Sequence, residues 1–232
     1  MERNKVVSCA IGALVVLAGG SLAAHGQVFY SQDFETTAPR PEWSTWQRDE
    51  GSAFSWFLGR FSASQSATLT LTAPSGGGGG GGGGGNGDSD RQTRNYLVQF
   101  HFYCLDSWDG SSTASGYGPD YFQVIANGQT VFNETFANQH INQSYPFAPE
   151  KGRAELGFDP RYFDSVYTLK AAFASDAQML TITWRGLNLQ GLGDESWGID
   201  DVKVSVTAVP TPGAGVLGAV GLGAVSCRRR RR

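Results

Sequence analysis

Three aspartates follow a long apolar stretch in the middle of the chain, and their carboxylates are the first candidates for chemistry. Asp106 ends a row in which every second residue from position 96 to 104 is apolar, and Asp109 and Asp120 lie in the polar segment beyond it. A carboxylate at the end of a buried row must reach solvent, pair with a cation or bind a metal, because burying it alone is costly. The sequence therefore predicts a loop built around a cation.

Further acidic residues lie near the two ends of the body of the chain. Asp33 and Glu35 are two residues apart on a predicted first strand, so both project from one face. Glu195 precedes the predicted last strand, and Asp200 lies within it. Calcium binds six to eight oxygens at about 2.3–2.6 Å, often from scattered carboxylates. The chain has no continuous calcium-loop signature, however, so solvated acids that cap turns explain these residues equally well.

The spacing of the acids gives little support for catalysis. A glycosidase needs two carboxylates about 5–9.5 Å apart across a cleft, whereas Asp200 and Asp201 alternate across a strand. Cys104 lies on the apolar face of its strand, and His101 has no serine or cysteine motif as a partner. We expect no catalytic residues, with a carbohydrate-active enzyme as one alternative and a structural matrix protein without a soluble ligand as another.

Composition predicts one exported domain that does not bind nucleic acid. The chain has 232 residues, a formal net charge of -3 and 17% charged residues. Five terminal arginines make the rest more acidic than this total, which argues against binding to phosphates. Cys9 and Cys227 lie in the terminal apolar segments, so Cys104 has no disulfide partner in the body. Bound calcium is a common alternative stabiliser of exported domains.

The body of the chain is predicted to be all-β. From residue 28, short alternating apolar runs are separated by Gly, Pro, Asn and Asp, which is typical of strands. The Asn127-Gly128 pair favours a type I′ hairpin. Eight or more strands at this spacing predict a jelly-roll β-sandwich over residues 27–207. The glycine-rich segment 76–90 is predicted to be a flexible loop within it.

Six tryptophans make sugar binding a hypothesis, because aromatic faces stack on sugar rings. Trp184 shares a predicted strand face with Leu180 and Ile182, which favours core packing. Trp108 lies in the polar loop and is the best candidate for stacking on a polysaccharide. The sequence thus predicts Trp108 as a ligand-binding residue.

Both ends of the chain carry targeting signals. Arg3 and Lys5 precede an apolar run and small residues, which indicates a secretory signal peptide over residues 1–26 with cleavage after Ala23 or Gly26. At the other end, an apolar segment at 213–227 would form a hydrophobic helix of about 22 Å. This length is short for a hydrocarbon core of about 30 Å. The arginines after it favour the cytoplasmic side, which leaves the body outside.

The C-terminal segment 208–232 resembles the PEP-CTERM sorting tail of exported bacterial proteins. Threonine replaces the glutamate of the usual Val-Pro-Glu-Pro motif. The resemblance implies processing by an exosortase-type enzyme, membrane attachment before processing, and delivery to the cell surface or extracellular matrix; a permanent anchor is the alternative. The residues of the sorting motif are Val209, Pro210, Thr211, Pro212, Arg228, Arg229, Arg230, Arg231 and Arg232.

The body also resembles the concanavalin A-like and MAM jelly rolls. The resemblance is carried by Asp33-Phe34-Glu35 and by the stretch from Trp197 to Val202. It implies that the first and last strands adjoin and that their acids hold a structural cation, here expected to be calcium. By position it implies the ligands Glu35 and Asp200, followed by Asp106, Asp109, Asp120 and Glu195.

Overall fold

The computed structural model describes residues 26–51, 53–74, 93–113, 117–139 and 142–207, which form an all-β fold. The predicted signal peptide up to residue 25, the glycine-rich segment 76–90 and the predicted tail 208–232 lie outside the described residues. Among the described residues, no helix has the length and apolar character needed to cross a bilayer.

The described strands form two antiparallel sheets. The strands are β1 (Gln27–Gln32), β2 (Arg48–Asp49), β3 (Phe57–Phe61), β4 (Ser66–Thr72), β5 (Arg94–Asp106), β6 (Tyr121–Ala126), β7 (Gln129–Thr135), β8 (Lys151–Ala154), β9 (Asp164–Ser175), β10 (Met179–Leu187) and β11 (Glu195–Thr207). One sheet has the order β2-β3-β11-β5-β9-β8, with β1 also paired to β11. The other sheet has the order β4-β10-β6-β7.

The two sheets pack face to face as a β-sandwich because alternate residues of their central strands are apolar. Phe102 of β5 stacks on Phe122 of β6 with ring centroids 4.0 Å apart, and Phe100 meets Trp184 of β10 at 5.7 Å. All four side chains are fully or almost fully buried. The prediction that Trp184 belongs to the core is therefore confirmed.

The hairpin between β6 and β7 forms at the predicted place. Asn127 and Gly128 have φ angles of 46° and 80°, as a type I′ turn requires at its two central residues. Asn127 also accepts a hydrogen bond from the Thr181 backbone N–H at 2.8 Å, which ties the turn to β10. The local turn signal and the neighbouring strand therefore favour the same conformation.

The ends of the sandwich contain the main departures from the sequence-based strands. β1 pairs with β11 as expected, but it stops at Gln32, so Glu35 lies beyond it and is exposed. The short strands β2, β3 and β8 were not predicted. Of these, β3 is buried at every position except half-buried Arg60, so its sequence has no alternation to reveal it.

We predict that Phe102→Ala lowers the free energy of unfolding by about 3–5 kcal/mol, because the substitution leaves a cavity between the sheets. Phe163→Ala is the matched control, since the Phe163 side chain is 43% exposed. Chemical denaturation of both variants measures the difference. Similar losses in the two variants would contradict the placement of Phe102 in the core.

Candidate metal centre

Three carboxylates converge where the loop after β5 meets the beginnings of β6 and β11. Asp109 lies in that loop, Asp120 immediately precedes β6, and Glu195 is the first residue of β11. One carboxylate oxygen from each residue lies within 4.8 Å of the other two. The side chains are deeply buried, with residue exposures of 5% for Asp109 and 0% for Asp120 and Glu195.

The loop between β5 and β6 folds back on itself and so brings two of these acids together. The Asp120 N–H donates to the Gly110 carbonyl at 2.8 Å, and the Asp109 N–H donates to Oδ2 of Asp120. Gly110 has a φ angle of 66°, and a Cβ there would lie 2.1 Å from the Asn142 carbonyl oxygen. Only glycine fits this close approach without displacing the chain.

Hydrogen bonds fasten this loop to the start of β11, which supplies the third acid. The Ser107 N–H donates to the Asp194 carbonyl at 2.8 Å, and the Trp108 indole N–H donates to the Ser196 carbonyl at 2.8 Å. Glu195 lies between these two acceptors in the chain. In the β5–β11 ladder it is paired with Asp106. The main-chain bonds thus position Glu195 against the loop.

Burial makes these carboxylates unfavourable as free anions. Burial raises the pKa of Glu195 to about 8, although a hydrogen bond from the Gln190 N–H opposes this, and repulsion from Asp120, Asp109 and Asp194 adds to it. Burial likewise raises the pKa of Asp120 to about 6. The groups around Glu195 thus carry charges of the same sign as its own carboxylate. A bound cation would offset both the cost of burial and the mutual repulsion.

Two oxygens of the cluster accept no hydrogen bond from an N–H or hydroxyl donor of the described residues, although a proton on Glu195 would let its carboxyl group donate to Asp120. They are Oδ1 of Asp120 and Oε1 of Glu195, and both are buried. The second oxygen of each side chain is satisfied, since Asp120 Oδ2 accepts from the Asp109 N–H and Glu195 Oε2 accepts from the Gln190 N–H at 2.7 Å. Unsatisfied buried carboxylate oxygens are costly and uncommon. A shared proton would give these two oxygens a partner, whereas a cation would serve all three carboxylates.

The donor atoms favour calcium among the common metals. All three ligands are carboxylates, and such hard oxygen donors suit calcium and magnesium rather than zinc or copper, which favour nitrogen or sulfur. Magnesium usually keeps several of its waters, whereas calcium accepts more protein oxygens and a looser geometry. The residues therefore fit a calcium ion, completed by backbone carbonyls or water.

Asp106, the first acid singled out from the sequence, is separately neutralised by Arg60. The Arg60 guanidinium lies 2.5 Å from Asp106 Oδ2, which also accepts from the Ser196 hydroxyl at 3.1 Å. The other oxygen, Oδ1, accepts from the Asp159 N–H at 3.2 Å. Burial raises the pKa of Asp106, and the charge of Arg60 opposes this shift. Asp106 is thus paired with a protein cation and lies outside the cluster.

Asp200 and Glu35 also lie outside the cluster. Asp200 is five residues along β11 from Glu195, about 16 Å in an extended strand. Its Oδ2 accepts from the Tyr103 hydroxyl at 3.0 Å, and burial raises its pKa to about 6. Glu35 is exposed beyond the end of β1. The structure therefore brings together three of the six predicted ligands, Asp109, Asp120 and Glu195. Glu35 and Asp200 lie apart from them because β1 pairs with β11 at a distance from the loop after β5.

Trp108 is fully buried, so the prediction that it stacks on a sugar is wrong. Its ring packs edge-on against Phe102 with centroids 5.6 Å apart, and its indole N–H is bonded to the Ser196 carbonyl. Trp108 lies beyond the end of β5, and Asp106 has a φ angle of 69°, so the alternation of the strand does not extend to it. Its polar neighbours in the sequence indicated an exposed loop, and only the tertiary packing buries it.

The fold and this site define an all-β module with a buried acidic cluster. No protein-family model and no curated protein matches the chain. Solved structures that resemble it include the following three. The insecticidal delta-endotoxin Cry8Ea1 of Bacillus thuringiensis has 15% sequence identity and a TM-score of 0.33, and the match covers 64% of this chain and 19% of that one. Dimeric latent PorU of Porphyromonas gingivalis has 13% identity and a TM-score of 0.39, with 82% of this chain and 14% of that one covered. The CBM22-1 xylan-binding domain of Paenibacillus barcinonensis Xyn10C has 11% identity and a TM-score of 0.38, with 81% of this chain and 99% of that one covered.

This chain spans only a small part of the first two of these proteins, 19% and 14% of their lengths. At such identities and scores, the three likenesses carry no argument about function. The functional reasoning therefore rests on the residues of the chain itself.

We predict that the protein in chelator loses stability as the pH rises from 5 to 8. Glu195 holds its proton more tightly in the folded state, with a pKa of about 8, than in the unfolded state, near 4.5. Between these values the folded state binds more protons, so the free energy of unfolding falls with rising pH. Asp120, with a pKa of about 6, acts in the same direction.

Thermal melts in chelator across this pH range measure the effect. Glu195→Gln is the control, because glutamine cannot ionise and the slope should become shallower. A melting temperature that stays level or rises from pH 5 to 8 in the wild type would contradict the buried, unpaired state of this carboxylate.

Proposed function

We propose that this chain is an exported, non-catalytic jelly-roll module that is stabilised by calcium and binds polysaccharide. The observation that carries the calcium proposal is the pair of buried, unpartnered oxygens on Asp120 and Glu195. A solvated group of turn-capping acids does not explain them, because neither side chain is exposed. A calcium ion among Asp109, Asp120 and Glu195 does explain them. A proton shared by Glu195 and Asp120 is the alternative, and calcium titration distinguishes the two.

The calcium ion would act as a cross-link between the two sheets. Asp120 leads into β6 of the four-stranded sheet, whereas Glu195 begins β11 of the seven-stranded sheet. Asp109 adds the loop that follows β5. In the described residues, Cys104 is buried and free, so no disulfide fulfils this role there. A ligand that binds only the folded state stabilises it by mass action.

Burial of the acids favours a structural role over catalysis. A glycosidase needs its two carboxylates to face a substrate across an open cleft. Asp109, the most exposed of the three acids, has an exposure of only 5%. A sugar could not reach these oxygens without opening the loop. Raised pKa values also occur in catalytic acids, but here burial and mutual repulsion account for them.

The strand order supports the jelly-roll part of the proposal. Eight strands divide into the neighbouring sets β3-β11-β5-β9 and β4-β10-β6-β7. Along the chain, β3, β4, β5 and β6 alternate between the sheets, and β9, β10 and β11 alternate again after the β6–β7 hairpin. Eight antiparallel strands wound over two sheets are the arrangement of a jelly roll.

The cellular part of the proposal rests on the sequence alone. The signal peptide at 1–26 supports export, and the PEP-CTERM-like tail at 208–232 supports processing by an exosortase-type enzyme. The apolar segment would hold the chain at the membrane before processing. We therefore propose the cell surface or the extracellular matrix as the working location.

We predict that calcium raises the melting temperature of the full chain by about 5–10 °C when its concentration is about a hundredfold above the Kd. Glu195→Gln should abolish most of this rise, because it removes a charged ligand. Glu35→Gln is the matched control, since Glu35 is exposed and lies outside the cluster. Melts in calcium, magnesium and chelator, with isothermal titration of calcium, measure both effects.

Melts in chelator distinguish a variant that no longer binds the metal from a variant whose fold is itself destabilised. Glu195→Gln should melt in chelator no lower than the wild type, since it also removes the cost of burying this carboxyl group, whose pKa is raised to about 8. The proposal fails if calcium does not bind the wild type, or if Glu195→Gln and Glu35→Gln respond equally to it.

The sorting proposal predicts cleavage between two epitope tags, one placed after residue 207 and one after Arg232. In a bacterial host with an exosortase, the surface fraction should carry the first tag without the second. Immunoblots of cell fractions measure this. Both tags on one membrane-bound chain would instead indicate a permanent anchor.

A further inference from the structure

A cleft of about 510 Å³ opens between β7 of one sheet and β9 of the other. Its lining combines aromatic rings with charged and hydroxyl side chains, chiefly Phe132, Tyr145, Phe147, Glu134, Thr168 and Lys170. β7 is the edge strand of the four-stranded sheet. The cleft therefore lies along an open side of the sandwich, where an extended chain could bind without a closed pocket.

Two of the aromatic rings form a platform with a firm base. Tyr145 is half-buried and packs on Phe136 with centroids 5.0 Å apart and on Tyr167 at 5.7 Å. Phe147 meets Tyr145 edge-on at 5.6 Å, yet 66% of its surface is exposed. An exposed phenylalanine beside a fixed tyrosine presents apolar area to a ligand with little loss of side-chain freedom.

The polar groups around this platform suit an uncharged, hydroxyl-rich ligand. Glu134 and Lys170 line the same cleft, so their opposite charges leave it close to neutral. Burial and the charge of Glu134 raise the pKa of Tyr145, which keeps its hydroxyl protonated and able to donate. A lipid chain would leave both charged groups desolvated. A polyanion would meet Glu134 as well as Lys170, so the cleft gives it no net electrostatic attraction.

We propose that this cleft binds a neutral polysaccharide, with the apolar face of a sugar ring stacked on Phe147 and its edge against Tyr145, whose ring is inclined by 68° to that of Phe147. The sugar hydroxyls would bond to Glu134, Thr168 and Lys170, which donate or accept at the rim of the platform. This inference rests on the proposed function, because it locates the polysaccharide-binding part of that function. It replaces Trp108, which is buried, as the stacking residue.

Affinity electrophoresis of the full chain tests the proposal. Gels contain hydroxyethylcellulose, arabinoxylan or galactomannan as neutral polymers, or alginate as a polyanion. We expect retardation of the wild type by at least one neutral polymer and weaker retardation by alginate. Phe147→Ala should weaken binding about tenfold, as expected for loss of a central aromatic contact. Lys170→Ala, also exposed, should weaken it to a smaller extent.

Phe163→Ala is the matched control, because Phe163 is an exposed phenylalanine that does not line the cleft. It should bind like the wild type, and all three variants should keep the wild-type melting temperature because their side chains are exposed. If Phe147→Ala and Lys170→Ala bind as Phe163→Ala does, the cleft is the wrong site while polysaccharide binding stands.

The other outcomes separate this inference from the proposed function. If the wild type binds none of the neutral polymers, both the cleft and the polysaccharide part of the proposed function are overturned, whereas the calcium proposal is unaffected. Tighter binding of alginate than of any neutral polymer would overturn the assignment of a neutral ligand.

Discussion

The long antiparallel pairing of β5 with β11 is the interaction on which the rest of this structure depends. It places Asn95 opposite Thr207 at one end and Asp106 opposite Glu195 at the other. Because this ladder lies at the centre of the seven-stranded sheet, it fixes both where the apolar row of β5 meets the second sheet and where the acidic residues at the strand ends meet. The core and the acidic cluster are consequences of the same register.

At the end of the β5–β11 ladder where Asp106 pairs with Glu195, the two buried acids have different surroundings. Asp106 has Arg60 at 2.5 Å, and hydrogen bonds occupy both of its oxygens. Glu195, its partner in the ladder, has an oxygen without a partner and like charges nearby. An ion pair and its hydrogen bonds can offset the burial of one carboxylate, whereas neighbouring carboxylates of the same sign add to the cost. This difference is the physical reason to place a cation beside Glu195 rather than beside Asp106.

The acidic cluster and the aromatic cleft are joined by a short set of hydrogen bonds through Thr135. Its hydroxyl is bonded to the Ser111 hydroxyl at 2.7 Å and accepts from the Ser144 N–H at 2.7 Å. Ser111 follows the loop residue Asp109 closely, and Ser144 immediately precedes Tyr145 of the cleft. A cation that orders the loop would therefore also support the segment that carries Tyr145 and Phe147. In that case the stability of the module would be linked to the shape of the proposed binding cleft.

The sequence by itself determined the strands with clear alternation, the Asn127-Gly128 turn and the chemical type of the site, because these depend on local periodicity and residue chemistry. It also named Asp109, Asp120 and Glu195, although it ranked them behind Glu35 and Asp200, which lie outside the cluster. Only the tertiary structure decided which of the six meet, because that depends on the β5–β11 register and on Arg60, which lies on a short buried strand without alternation. Likewise, the cleft joins residues of β7, β9 and the segment between them, and no local pattern encodes such a long-range contact.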